Sequence, residues 1–171
     1  AGRRWRQLAA RGMVLAALMC AGVPAHADAN DGGWPSAGQN LGNTRHQEQS
    51  GGIGVQTVGG LAQKWVFTTG GDVSATPAVD EVAVYFPDWA GNLYAVDRKS
   101  GKQIWKVSIA AASGTPGDKA RATPVITGNK LIVGTQGNVF APPPNGGPGG
   151  KMLAFDKTTG AVKWKTGSNP P

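Results

Sequence analysis

The feature that most constrains this chain is an internal repeat. The eleven residues Ala95-Val96-Asp97-Arg98-Lys99-Ser100-Gly101-Lys102-Gln103-Ile104-Trp105 are matched by Ala154-Phe155-Asp156-Lys157-Thr158-Thr159-Gly160-Ala161-Val162-Lys163-Trp164, and both read A-x-D-x-x-[ST]-G-x-x-x-W. A second shared piece precedes each, Ala75-Thr76-Pro77-Ala78-Val79 and Ala122-Thr123-Pro124-Val125-Ile126. From Trp65 to Trp105 is 40 residues and from Trp105 to Trp164 is 59; seven of the extra residues precede Thr123 and twelve follow it, the latter at 137–150. A repeat of this period is one supersecondary unit that buries its apolar face only by stacking on its neighbours, and insertions fall in its loops.

Each unit reads as four short strands, about 75–79, 82–86, 92–97 and 103–107 in the first and 122–126, 130–134, 151–156 and 161–165 in the second. Asp97 to Gly101 and Asp156 to Gly160 read as tight turns. Asp accepts from the backbone just downstream, and Gly supplies the positive φ where the chain reverses. Composition agrees. Gly (27) and Pro (12) are abundant, 16% of residues are charged, and six of the twelve aromatic residues are Trp. A helical bundle needs a different composition, whereas short apolar runs between glycines suit many short strands. Four strands repeating at about 40 residues is the pattern of a propeller blade.

The formal charge of +7 is concentrated at the N-terminus. Arg3, Arg4, Arg6 and Arg11 flank an apolar run at 13–23 that is followed by Ala25-His26-Ala27, the layout of a cleavable export signal. The run is too short to span a bilayer. Cleavage after Ala27 removes four of the 17 cations and none of the ten acids, which leaves no electrostatic basis for nucleic-acid binding. The expected organisation is therefore a signal peptide at 1–27, an irregular lead-in at 28–60, and two blades with the start of a third at 61–171. The route of export, general secretory or twin-arginine, is left open. Cys20, the single cysteine, follows Met19 rather than the small residue that a lipidation site wants, and no disulfide or thiolate metal site is available after residue 27.

The repeated segment resembles the tryptophan-docking motif of quinoprotein alcohol dehydrogenases. Trp34-Pro35-Ser36-Ala37-Gly38-Gln39-Asn40-Leu41-Gly42-Asn43-Thr44-Arg45 is similar to the leading segment of the same family. Within that family, 64–77 and Pro87-Asp88-Trp89-Ala90-Gly91-Asn92-Leu93-Tyr94-Ala95 look most like polyvinyl-alcohol dehydrogenase. The resemblance covers about 34–164. It implies an all-β fold, part of an eight-bladed propeller of the quinoprotein type, with each motif's indole packed between neighbouring blades. It also implies pyrroloquinoline quinone (PQQ) as cofactor, a calcium ion, an alcohol substrate, and a cytochrome or other periplasmic electron acceptor. Calcium ligands and the catalytic base would lie beyond Pro171, so no catalytic residue is assigned and these residues alone are expected to be inactive. No C-x-x-C-H motif occurs here, and a haem c domain is left open only for residues beyond these.

Three cofactor-binding candidates follow from the resemblance. Arg121, just before Ala122-Thr123-Pro124, matches an Arg that contacts a PQQ carboxylate, and a guanidinium suits bidentate, charge-assisted bonds to carboxylates; otherwise it is a solvated loop residue beside Asp118. Ser74, just before Ala75-Thr76-Pro77, stands where methanol-oxidising relatives place a Glu near the quinone; otherwise it is a turn serine. Trp89, at a strand end, lines a pocket mouth or packs between blades. The adjacent cysteines of those relatives are missing. His46 has no second ligand at metal spacing, and Asp80-Glu81 reads as a turn between strands. The sequence thus predicts the N-terminal part of a periplasmic PQQ-dependent dehydrogenase with no membrane span. Its alternative is a non-enzymatic propeller scaffold of the outer-membrane-assembly lipoprotein type.

Overall fold

The computed structural model describes residues 32–47, 52–137 and 149–166. The expected signal peptide, the Pro-rich part of the second insertion and the start of a third unit lie outside them.

Eight strands form where the repeat places them: β1 (Ala78–Val79), β2 (Ala83–Pro87), β3 (Asn92–Asp97), β4 (Gln103–Ser108), β5 (Val125–Thr127), β6 (Lys130–Gly134), β7 (Met152–Asp156) and β8 (Val162–Lys165). They make two antiparallel meanders, β1-β2-β3-β4 and β5-β6-β7-β8. The innermost strands begin later than the sequence pattern suggests, at 78 and at 125. In each case the preceding residue is a proline, Pro77 or Pro124, which has no N–H to give to a ladder.

The two units match in register and turn hydrogen bonding. Ala78, Tyr85, Ala95 and Trp105 pair across the first sheet as one row, and Val125, Ile132, Ala154 and Trp164 pair across the second as its counterpart. Both sheets carry a register shift just after the motif alanine, between Ala95 and Val96 and between Ala154 and Phe155. Asp97 Oδ1 accepts from Lys99 N (3.1 Å) and Ser100 N (2.7 Å), and Asp156 Oδ1 from Thr158 N (2.9 Å) and Thr159 N (3.1 Å). Gly101 and Gly160 close these turns at φ +73° and +75°, a region that favours glycine.

The sheets stack face to face over one core containing Ala78, Tyr85, Leu93, Ala95, Trp105, Ile109, Ala120, Leu131, Val133, Leu153 and Phe155. Trp105 crosses this interface. Its indole Nε1 donates to the carbonyl of Lys157 at 3.0 Å, and its ring lies 2.9 Å from where a Cβ on Gly160 would stand. Trp65 does the same one unit earlier, donating to Arg98 O at 3.0 Å above Gly101. Each indole therefore docks on the turn of the following unit. On the far side of the first sheet, Trp65 and Phe67 cover Phe86, Tyr94 and Val96.

Two expectations are corrected. The seven-residue insertion after the first unit is a helical turn rather than a plain loop, α1 (Ile109–Ser113), with Ser108 Oγ accepting from Ala111 N and Gly114 closing it at φ +73°. Its run of three alanines has the highest helix propensity, and the flanking Ser and Gly are ordinary caps. The lead-in is not wholly irregular either. Trp34 exchanges both backbone hydrogen bonds with Val79, at 2.7 and 2.8 Å, and Pro35 O accepts from Ile126 N at 2.9 Å. It thereby ties β1 to β5, and a 3₁₀ turn follows at Val58–Gly60.

Candidate functional site

The link between β2 and β3, Asp88-Trp89-Ala90-Gly91, is a turn built on one carboxylate. Asp88 is buried and accepts from Asn92 N (2.8 Å), Asn92 Nδ2 (3.1 and 3.0 Å), Gly70 N (3.1 Å) and the Tyr94 hydroxyl (2.9 Å). Burial raises its pKa, but these donors outweigh burial and hold the carboxyl below the usual value. Gly91 completes the turn at φ +85°. The Asp88 carboxylate thus fastens the turn to residue 70, and a backbone bond from Trp89 N to Asp72 O (2.9 Å) fastens it to the segment leading into β1.

This scaffold projects the Trp89 side chain, and the three candidates meet on it. The indole Nε1 donates to Ser74 Oγ at 3.0 Å, and the Arg121 guanidinium carbon lies 4.8 Å from the Trp89 ring centroid. Such a cation–π contact contributes about 0.5–1 kcal/mol at an exposed site. Ser74 and Arg121 hold the same position in successive units, immediately before Ala-Thr-Pro, so the stacked sheets bring equivalent residues to one aromatic ring. Because Ser74 Oγ accepts from the indole, its own O–H proton remains available to a ligand.

Arg121 is not the partner of Asp118. Among the described residues the ion pairs are Lys157–Asp80 at 2.8 Å and Lys163–Asp156 at 2.9 Å. Asp118 is buried and spends Oδ1 on Lys119 N (2.9 Å) and Gly137 N (2.8 Å). It orders the loop that carries Arg121, whose guanidinium has no ion-pair partner among the described residues.

Sequence reasoning missed Asp88, Asn92 and Tyr94 as supports of the site. The visible signal was Asp followed three residues on by Gly, an Asx-type turn signature. His46 is exposed, and no group of three or more His, Cys, Asp or Glu among the described residues is placed to hold a metal ion. No helix among them is long and apolar enough to cross a membrane. Asp80 does end a strand, as expected, but it also bonds across to Lys157 of the second unit. An open groove of about 430 Å³ lined by Lys64, Trp65, Val79, Val84 and Arg98 lies at the docked Trp65, by the opposite end of β3 from the Trp89 turn.

The chain is similar to several known proteins. The chain is 34% identical over 93 residues to the dehydrogenase subunit of the quinone alcohol dehydrogenase of Komagataeibacter europaeus, covering 51% of this chain and 12% of that one. It is 28% identical over 127 residues to outer membrane protein assembly factor BamB of Burkholderia pseudomallei (strain K96243), covering 61% of this chain and 33% of that one. Among solved structures, quinohemoprotein alcohol dehydrogenase from Comamonas testosteroni superposes with a TM-score of 0.51 at 19% identity, over 78% of this chain and 27% of that one. That likeness shows the fold: the two sheets are two blades of a quinoprotein-type propeller. The chain spans about a tenth to a third of the length of these curated relatives. Residues 61–166, more than half of the chain, match the family model described as outer membrane protein assembly factor BamB (PQQ_2), and the chain belongs to that family of propeller repeats.

Proposed function

We propose that this chain is the N-terminal part of a periplasmic PQQ-dependent dehydrogenase that oxidises an alcohol, a secondary alcohol such as polyvinyl alcohol being the substrate class its sequence most resembles. The observation that carries this reading is the meeting of Ser74, Trp89 and Arg121, three residues from two blades, at one half-buried indole. The arrangement suits the edge of a planar, carboxylate-bearing ring. Arg121 would bind a carboxylate through its fork of N–H donors, Ser74 would donate its hydroxyl proton to a ring oxygen, and the indole would supply an apolar wall. The quinone, when bound, supplies a two-electron acceptor. The described residues at the site would bind and orient it, and no proton-transfer role is assigned to them. Calcium ligands are expected outside the described residues.

The similarity to quinone alcohol dehydrogenase supports this reading, and that to assembly factor BamB supports its rival, a propeller that works by protein contacts alone. The full-length protein, supplied with PQQ, calcium and a dye acceptor, is expected to reduce the dye in proportion to added alcohol. Failure with short alcohols, diols and polyvinyl alcohol, together with no binding of PQQ, would favour the scaffold. An export assay with residues 1–27 fused to a reporter tests the periplasmic location.

A further inference from the structure

We infer that Lys119 is a second cationic anchor of this site, so that Lys119 and Arg121 together select a planar ligand bearing at least two carboxylates. The inference rests on the reading of the site given above and assigns the ligand's charge pattern.

Lys119, Ala120 and Arg121 are consecutive, and their backbone is pinned. Ala120 is buried in the core shared by the two sheets and bridges Thr135. Lys119 N donates to Asp118 Oδ1 at 2.9 Å, and Lys119 O accepts from Gln136 N at 2.9 Å. The same bond occurs one unit earlier, from Trp89 N to Asp72 O, so Lys119 occupies the position that Asp72 holds in the first blade. An acid in one blade has become a base in the next, beside the turn that carries the candidate site.

The Lys119 stem runs along that turn. Its Cγ lies 3.7 Å from where a Cβ on Gly91 would stand, while Arg121 lies over Trp89 of the same turn. The Lys119 stem and the Arg121 guanidinium therefore both lie against one four-residue link. Neither has an ion-pair partner among the described residues. The acids around them do not neutralise the pair. Asp88 is filled by four donor groups. Asp118 spends one oxygen on two backbone N–H groups, and its other oxygen is buried without a partner. Asp72 is exposed and engages the turn through its carbonyl. Two cations rooted two residues apart repel, and an anionic ligand that bridges them relieves the repulsion while gaining charge-assisted bonds. A monocarboxylate satisfies Arg121 alone; a second carboxylate on the same ring is what Lys119 adds.

The test uses the full-length protein and follows tryptophan fluorescence on titration with PQQ, with dipicolinate (two carboxylates on one ring) and with picolinate (one). Lys119→Gln is expected to weaken PQQ and dipicolinate about tenfold and leave picolinate unchanged, with Lys119→Arg restoring the loss; Arg121→Gln is expected to weaken all three. The preference for dipicolinate over picolinate is expected to shrink as salt rises. An unchanged dipicolinate-to-picolinate ratio in Lys119→Gln, at an unaltered thermal midpoint, overturns the inference, as does failure of both pyridines to bind. Failure of PQQ alone, with the pyridine ratio behaving as expected, overturns the cofactor reading and leaves the two-cation anchor standing.

Discussion

Trp105 and Lys157 are 52 residues apart in sequence, and the indole N–H of one donates to the backbone carbonyl of the other at 3.0 Å. The same ring rests on Gly160, three residues beyond that carbonyl, so a single side chain satisfies its polar atom and fills the gap between blades. A buried indole needs both a partner for its N–H and a surface without a Cβ beneath it.

Gly160→Ala should therefore be among the most damaging substitutions available at a turn. The added Cβ would stand 2.9 Å from the Trp105 ring on a backbone at φ +75°, so both crowding and strain oppose it. Trp105→Ala is expected to cost about 3–5 kcal/mol. Because both changes act on one contact, the double variant should lose less than the two losses combined. Denaturant unfolding of the full-length protein reads all three; strict additivity would show that the indole and the turn are energetically independent.

Asp88 carries a different kind of risk. Asp88→Ala removes the acceptor of Asn92 N, Gly70 N and the Tyr94 hydroxyl together, and a loss of about 3 kcal/mol is expected because buried donors are left unpaired. The turn it holds also positions Trp89, so ligand binding should weaken alongside stability. A variant of full stability with intact binding would show that the turn is held by its backbone alone.

Of the carboxylates whose depressed pKa shapes the acid limb of stability, two are held by ion pairs. Burial raises the Asp80 carboxyl, but Lys157 and the N–H groups of Ala83 and Val82 outweigh it, and the net shift is downward from 3.8. The Asp156 carboxyl is held at about 2, chiefly by Lys163 and then by the N–H groups of Thr158 and Thr159. A carboxylate depressed in the folded state stabilises fully above its unfolded value and loses that contribution as pH falls through the folded one. Lys157→Met should cost about 1 kcal/mol at neutral pH, and its difference from wild type should close as pH falls below 3.8. Thermal midpoints of the two proteins across pH 2–7 check this; a constant gap would rule out the ion pair as the cause.

At the candidate site, Arg121→Ala is expected to weaken binding of a carboxylate-bearing planar ligand by about 10- to 100-fold, the loss of one charge-assisted bidentate contact. Ser74→Ala should have a smaller effect, a few-fold, and should alter the emission of Trp89 by removing the acceptor of its indole N–H. Fluorescence titration separates the two, and equal effects would mean that Arg121 contributes only its stacking on the indole.

Expressed alone, residues 28–171 are expected to aggregate or remain largely unfolded. The outward row of the second sheet leaves Val125 and Trp164 about 40% exposed, where the matching Ala78 and Trp105 of the first sheet are 0% and 8% exposed, and open sheet faces and edges of this kind invite association. A sharp, cooperative thermal transition in a soluble monomer would contradict this.

What the sequence determined by itself is local. The spacing of Asp, Gly and Trp in the repeated motif fixed the turns and the strand order of both sheets, because a turn of five residues and a meander are specified by hydrogen bonds and φ angles within a few residues. Pro77 and Pro124, read as part of the strands, instead set where they begin, a matter of one missing N–H. The tertiary structure decided everything that depends on stacking: that each indole docks on the next unit's turn, that α1 fills an insertion, that Asp88 is buried, and that Ser74 and Arg121 meet on Trp89. Ser74 and Arg121 lie 47 residues apart, and only the face-to-face packing of the two sheets brings equivalent positions of successive blades to one ring. No local pattern encodes that distance, because it arises from the shared core, with Asp88 and Asp118 each ordering its own loop.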